Sequence, residues 1–328
     1  MIRGFKPYHR PLDACNNRLD NRLGKYVLPA LGYAAVILVC VALSTGCGQS
    51  ERPDTESRPL PSHGGPARIV SMAPNITETL FALGLGSRVA GVTRFCLYPP
   101  EANNLPSIGG FLDPNYEAIA ALAPDMVLTL PEQDNARRYL DELSIPHETL
   151  HNRTVAEILD SIAAVGALCG VEARADSLLG DIRQRMAHIA ERTADSPRPR
   201  VLLSIGRTRG TGSIRDVYAA GKGTFYDELV SLAGGTNVVS VPGIAYPELS
   251  AEGVLHLDPG IIIELAPELA GLNSDASRAR SEWDTLPGVS AEREGNVYIL
   301  TGDYTMIPVP RFILLLEDMA RLVHPNAF

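Results

Sequence analysis

The chain is poor in the residue types that catalytic and metal-binding chemistry needs in clusters, with one Trp, seven His and five Cys in 328 residues. A receptor for free zinc or manganese requires several imidazoles and carboxylates to converge. Here His9 and His63 precede the folded body. His147 and His151 fall on a predicted strand and loop, where a spacing of four does not share a helix face, and His188 lies on the polar side of a predicted helix. There is no basic excess either. A net charge of -9 argues against a polyanionic partner, so nucleic acid is set aside. Neither Ser204 nor Ser213 sits in a G-x-S-x-G elbow, and no Walker-type loop occurs. Gly84-Leu85-Gly86 with Gly91 follows a predicted helix and precedes a predicted strand, the reverse of a dinucleotide-binding loop. With 45% hydrophobic and 20% charged residues, the chain is still rich enough to build ordinary cores, and long enough for two domains.

Charge is absent from Tyr26 to Ser50, and Tyr33–Leu43 is nearly continuous apolar. Ahead of it stand Arg3, Lys6, Arg10, Arg18, Arg22 and Lys25. Basic residues followed by a greasy run are the order of an export signal. The run ends Leu43-Ser44-Thr45-Gly46-Cys47 and resembles a bacterial lipobox, which implies lipidation of Cys47 as the new N-terminus. Ser44 stands where the lipobox usually has an aliphatic residue, with Leu43 one place further out. An uncleaved membrane span is the alternative, because about 20 apolar residues cross a bilayer. Both readings put the remainder outside the cytoplasm. Residues 51–66 carry four Pro and one large aliphatic residue, Leu60, and read as an extended tether. Cys15 and Cys40 belong to the signal. Cys96 and Cys169 alone belong to the body, either as one bridge or as two buried thiols.

The body is expected from about Ala67. Arg68–Met72 reads as a strand, and Asn75 with Glu78 three residues on reads as a helix start, followed by Ile76, Leu80 and Leu83 at helical spacing. Strand Val89–Thr93, helix Pro114–Leu122, strand Asp125–Leu130, a helix through Leu143, strand His147–Leu150 and a Thr154–Glu157 capping box continue the alternation. Such alternation implies parallel sheet covered on both faces. From Glu172 to Thr193, Ala175, Leu178, Ile182, Met186 and Ile189 make one stripe on a helix about 33 Å long, long enough to run down two domains. The pattern then restarts. Arg200–Gly206 mirrors Arg68–Met72, and a helix Phe225–Ala233 precedes Gly234-Gly235. Glu117 stands seven residues before Pro124 and a strand, as Glu252 stands seven before Pro259 and another. The organisation expected is a signal over 1–46, an anchor and tether over 47–66, an α/β lobe over 67–170, a linking helix over 171–196 and a second α/β lobe over 197–328.

The ordered segments ARIVSMAPNITETLFALG, GVTRFCLYPPEA, GGFLDPNYEAIAALAPDMVL, AYPELSAEGVLHLDPGIIIE, EWDTLPGVSAEREGNVYIL and GDYTMIPVPR resemble the helical-backbone family of periplasmic binding proteins. These are the iron-chelate and vitamin B12 receptors of ATP-binding-cassette (ABC) importers, and the resemblance covers residues 66 to the end. It implies two Rossmann-like lobes joined by one long backbone helix. It further implies a monomer, with no cofactor of its own, that carries a ferric siderophore, haem or cobalamin to a membrane permease. Glu117 and Glu252 match the family's permease-docking carboxylates. By motif position the cleft takes the Met72-Ala73-Pro74 turn, Phe95 and Tyr98 from the first lobe, and Arg207, Arg209, Tyr246, Asp303 and Tyr304 from the second. Tyr and Phe would offer flat area to a macrocycle, and the Arg pair would fork onto carboxylate or catecholate oxygens. Arg311 and Trp283 read as structural. The B12 receptors often place Trp in the cleft, and the matching positions here have none. An exported hydrolase using the same cleft is the competing reading, since fold alone does not give function.

Overall fold

The computed structural model describes residues 64–328. The expected export signal, Cys47 and most of the expected tether therefore lie outside the described residues. The last of the tether is already tied to the body: Gly65 has φ +68° and passes so close to the Cys169 backbone that a Cβ would lie 2.6 Å from its Cα. Arg88 donates to the carbonyls of Gly64 and Cys169.

The first lobe holds β1 (Ile69–Ser71), α1 (Pro74–Ala82), β2 (Val89–Val92), α2 (Tyr116–Ala121), β3 (Met126–Thr129), α3 (Asp134–Glu142) and β4 (His147–Thr149). All four strands are parallel, in the order β2-β1-β3-β4. Neighbouring strand residues feed opposite layers. Ile69 and Leu128 pack beneath α1, and Val70 and Val127 pack with Ile119 and Leu140 on the other face. Then come α4 (Val155–Leu168) and α5 (Glu172–Thr193). Helix α4 opens on the expected cap, with Thr154 accepting from Glu157 N at 3.1 Å.

The second lobe contains β5 (Arg200–Gly206), β6 (Val217–Ala219), α6 (Phe225–Leu232), β7 (Thr236–Asn237), β8 (Glu248–Leu249), α7 (Ala251–Leu257), β9 (Ile261–Leu265), α8 (Asn273–Glu282), α9 (Ser290–Arg293), β10 (Val297–Leu300) and α10 (Phe312–Val323). Its parallel strands run β7-β5-β9-β10, the order of β2-β1-β3-β4 in the first lobe; β6 and β8 are added antiparallel beyond β5. The duplication expected from the sequence is thus present as topology. It extends to detail. Asn115 caps α2 by accepting from Ala118 N, and Ser250 caps α7 by accepting from Gly253 N. Each helix ends before a positive-φ residue, Ala123 or Asp258, and its last carbonyls receive an Arg from the neighbouring strand's start: Arg68 on Leu122 O and Arg200 on Leu257 O.

Helix α5 packs on α4 of the first lobe and on α6 and α10 of the second, so one hydrophobic cluster runs unbroken through both lobes. Removing each large aliphatic side chain in it from water stabilises the fold by about 1.5–3 kcal/mol. One expected feature fails. Helix α1 starts at Pro74 with Ala73 as an uncapped N-cap residue, so Asn75 and Glu78 lie inside the helix. Glu78 is buried and serves Arg311 instead. A Pro at the first turn, with φ preset and no N–H to satisfy, outcompetes a cap one residue later. Cys96 and Cys169 are separate buried thiols, the latter pushed up to about 11 by burial.

Candidate functional site

In α/β sheets, ligands bind beyond the carboxyl ends of the strands. There the two lobes enclose a cavity of 450 Å³, within the usual range for small-molecule sites of about 300–1,000 Å³. Arg153 and Glu132 wall it from the first lobe; Phe225, Tyr226, Tyr246 and Met306 wall it from the second. Slightly larger hollows lie around His324 and around Ser161, and each is lined by residues of one stretch of the fold and not by both lobes' strand-end loops. The loops around the cleft also expose large apolar side chains: Phe95, Leu97, Tyr98 and Leu112 in the first lobe, Ile244 and Tyr246 in the second.

The structure sorts the residues expected here. Phe95 is exposed, with the Arg94 guanidinium 5.1 Å from its ring centre. Tyr98 is partly covered by Arg311, whose guanidinium carbon stands 3.4 Å from the ring centre. Tyr246 lines the cavity, and desolvation raises its phenol, which stays a proton donor at neutral pH. Asp303 is exposed but paired with Arg311 at 2.7 Å. Tyr304 has its hydroxyl engaged by Asp318 at 2.5 Å, and burial followed by that hydrogen bond pushes it up to about 12. Its ring leaves no space for a side chain at Gly302, where a Cβ would lie 2.5 Å away.

Arg207 and Arg209 are not free forks. The Arg207 side chain is fully buried, donating to Glu264 at 2.9 Å, to Glu282 and to Ala279 O at 2.7 Å. Arg209 donates to Glu264 at 2.6 Å and pairs with Glu268. Trp283 Nε1 donates to the same Glu264 at 2.8 Å, and Gly210 N donates to Glu282 at 2.8 Å. Burial works against the charge of Glu282, but Arg207 and the Gly210 amide hold its carboxyl below the usual range. These charges are therefore spent inside the lobe, fastening the segment after β5. They could not have been left for a ligand, because a buried Glu264 without partners would be costly. Sequence reasoning missed Glu264, Glu282 and Gln133. Glu264 was signalled by its position in the apolar run IIIEL, where a carboxylate persists only if paired. Gln133, buried, donates to Met72 O and Phe111 O and accepts from Leu130 N, stitching the first lobe's strand ends together. Nothing in its local sequence marks it.

Glu117 and Glu252 occupy the same place in their lobes, both exposed, each second in a helix capped by Asn115 or Ser250. Hydrogen bonding to the backbone at the helix start lowers the Glu252 carboxyl. Among the described residues no group of His, Cys, Asp and Glu is placed to hold a metal ion, and no helix is long and apolar enough to cross a membrane.

An uncharacterised ABC transporter substrate-binding lipoprotein of Bacillus subtilis is 26% identical over 90% of this chain and 97% of its own length. A vitamin B12-binding protein of Vibrio cholerae is 27% identical over 81% of this chain and 91% of its own. Among solved structures, a periplasmic haem-binding protein of Pseudomonas aeruginosa superposes with a TM-score of 0.67 at 26% identity, covering 80% of this chain and 94% of that one. Residues 69–304 match the periplasmic binding protein family, to which this two-lobed chain belongs.

Proposed function

We propose that the chain is the ligand-capturing component of an ABC importer and holds a metal chelate, whether ferric siderophore, haem or cobalamin, between its lobes. The observation that carries this reading is the exposure of large flat side chains on the strand-end loops of both lobes, Phe95 and Tyr98 in the first and Tyr246, which lines the interlobe cavity, in the second. The name of the Bacillus relative supports the importer, and the names of the Vibrio and Pseudomonas relatives support vitamin B12 or haem as the kind of ligand. Arg207 has no part in ligand contact, and Arg209, paired with Glu264 and Glu268, keeps only a partly exposed edge. Asp303 contributes a polar rim, and Tyr304 contributes its ring alone.

Export and anchoring follow the lipobox-like run at Cys47, with residues 1–46 removed, and the printed name of the Bacillus relative supports a lipoprotein. Glu117 and Glu252 dock the permease through Arg-bearing loops, one per lobe, exposed charge steering the encounter. Their equivalent place on duplicated helices is what favours docking over helix stabilisation, which either carboxylate alone would satisfy.

Titration of the purified protein, residues 64–328, with cyanocobalamin, haemin and a panel of ferric siderophores, followed by Tyr and Trp fluorescence, should give submicromolar binding of one ligand class. Silence across the panel would sink the ligand class. The double variant Glu117→Ala/Glu252→Ala should bind as wild type yet support no uptake; normal uptake removes the docking assignment. Cys47→Ser should release the protein from the membrane fraction.

A further inference from the structure

Arg311 joins the two lobes. It stands at the start of α10 in the second lobe and forks onto Glu78 of α1 in the first, Nε to Oε2 at 2.7 Å and Nη2 to Oε1 at 2.9 Å, across 233 residues of sequence. Its third nitrogen donates to Asp303 at 2.7 Å. Its flat face lies on the ring of Tyr98, a first-lobe residue at the cleft rim. Glu78 is 3% exposed and Arg311 17% as side chains, so the pair is largely removed from water, and a second cavity of 430 Å³ opens beside it between Glu78, Tyr98 and Pro310. A planar, delocalised cation can fork a carboxylate and cover an aromatic ring at once; an ammonium cannot do both.

We propose that Arg311 is a positioning residue for the ligand-facing wall: anchored in the first lobe by Glu78, it holds the Tyr98 ring from the second lobe, so the Tyr98 rim keeps its shape only while the lobes are joined here. This rests on the ligand-capture reading, but its first test needs no ligand. Amide hydrogen exchange of unliganded protein is compared among wild type, Glu78→Gln, Arg311→Lys and the double variant. Exchange over residues 95–104 should quicken about tenfold in each single variant, with α2 and α5 unchanged. The double variant should be no faster than the singles, because one contact has been removed twice. Unchanged exchange over 95–104, or acceleration spread evenly over both lobes as in general destabilisation, overturns the proposal. The second arm uses whichever of cyanocobalamin and haemin binds wild type. Arg311→Lys and Tyr98→Ala should each raise the dissociation rate about tenfold, and together no further. Equal dissociation rates overturn the proposal. Binding of neither probe counts against cobalamin and haem as ligands alone, and the exchange experiment still decides the role of Arg311.

Discussion

The two lobes share a frame and differ in what fastens it. In the first, the strand ends are stitched by a neutral amide, Gln133, and the lobe is attached to α5 through Arg174, which donates to the Leu83 and Gly84 carbonyls at 3.2 and 3.3 Å. In the second, the strand ends are held by the Arg207, Arg209, Glu264 and Glu282 network, and the polar contacts to α5 include an ion pair, Arg185 to Glu317 at 2.7 Å. The difference tracks an insertion. The first lobe turns straight from β1 into α1, whereas the second inserts a segment and the antiparallel β6 after β5, and that segment needs its own anchor. Duplicated topology therefore does not mean duplicated energetics: a longer strand-end segment costs more conformational entropy to order, and buried ion pairs offset it only when every partner is present.

The largest test of this contrast is Glu264→Ala, which leaves Arg207 Nε and Trp283 Nε1 without an acceptor. It should cost about 3–5 kcal/mol in denaturant unfolding; a loss under about 1 kcal/mol would mean the network does not fasten the lobe. Gln133→Ala should cost less, about 1–3 kcal/mol, since only neutral partners are stranded. If it equals the Glu264 variant, the contrast between neutral and ionic fastening is broken. The helix caps should behave alike in both lobes: Asn115→Ala and Ser250→Ala are each expected to lose about 1 kcal/mol of thermal stability, and a clear inequality would show that the duplicated helices are not equivalent. The smallest effect concerns acid. The hydrogen bond from Arg185 holds the Glu317 carboxyl below its usual value of 4.5. Its contribution is present above that value and is lost as pH falls through the depressed one. Partly exposed pairs contribute little, so Glu317→Gln should flatten the acid limb of stability by under about 1 kcal/mol. Arg174 has neutral acceptors, so Arg174→Gln should not change that slope.

Much of the frame was legible in the sequence. Helix α5 was expected over Glu172–Thr193 and occupies those residues, because an apolar stripe at helical spacing is a local signal. The 135-residue echo of Glu117 and Glu252 marked the duplication because it lies in short runs that keep their spacing, and the capped helices bear it out. The site was read less well. Arg207 and Arg209 look like ligand forks until Glu264 and Glu282, 57 and 75 residues from Arg207, are seen against them. Glu78 reads as part of a cap until Arg311 arrives from the far end of the chain.

Taken by itself, the sequence determined what depends on neighbours along the chain: alternation of strand and helix, the repeat and the long helix. Only the tertiary structure decided which charges remain for a partner. A guanidinium's role is set by the carboxylate that reaches it first, and in a duplicated α/β fold that carboxylate comes from another strand, another helix or the other lobe.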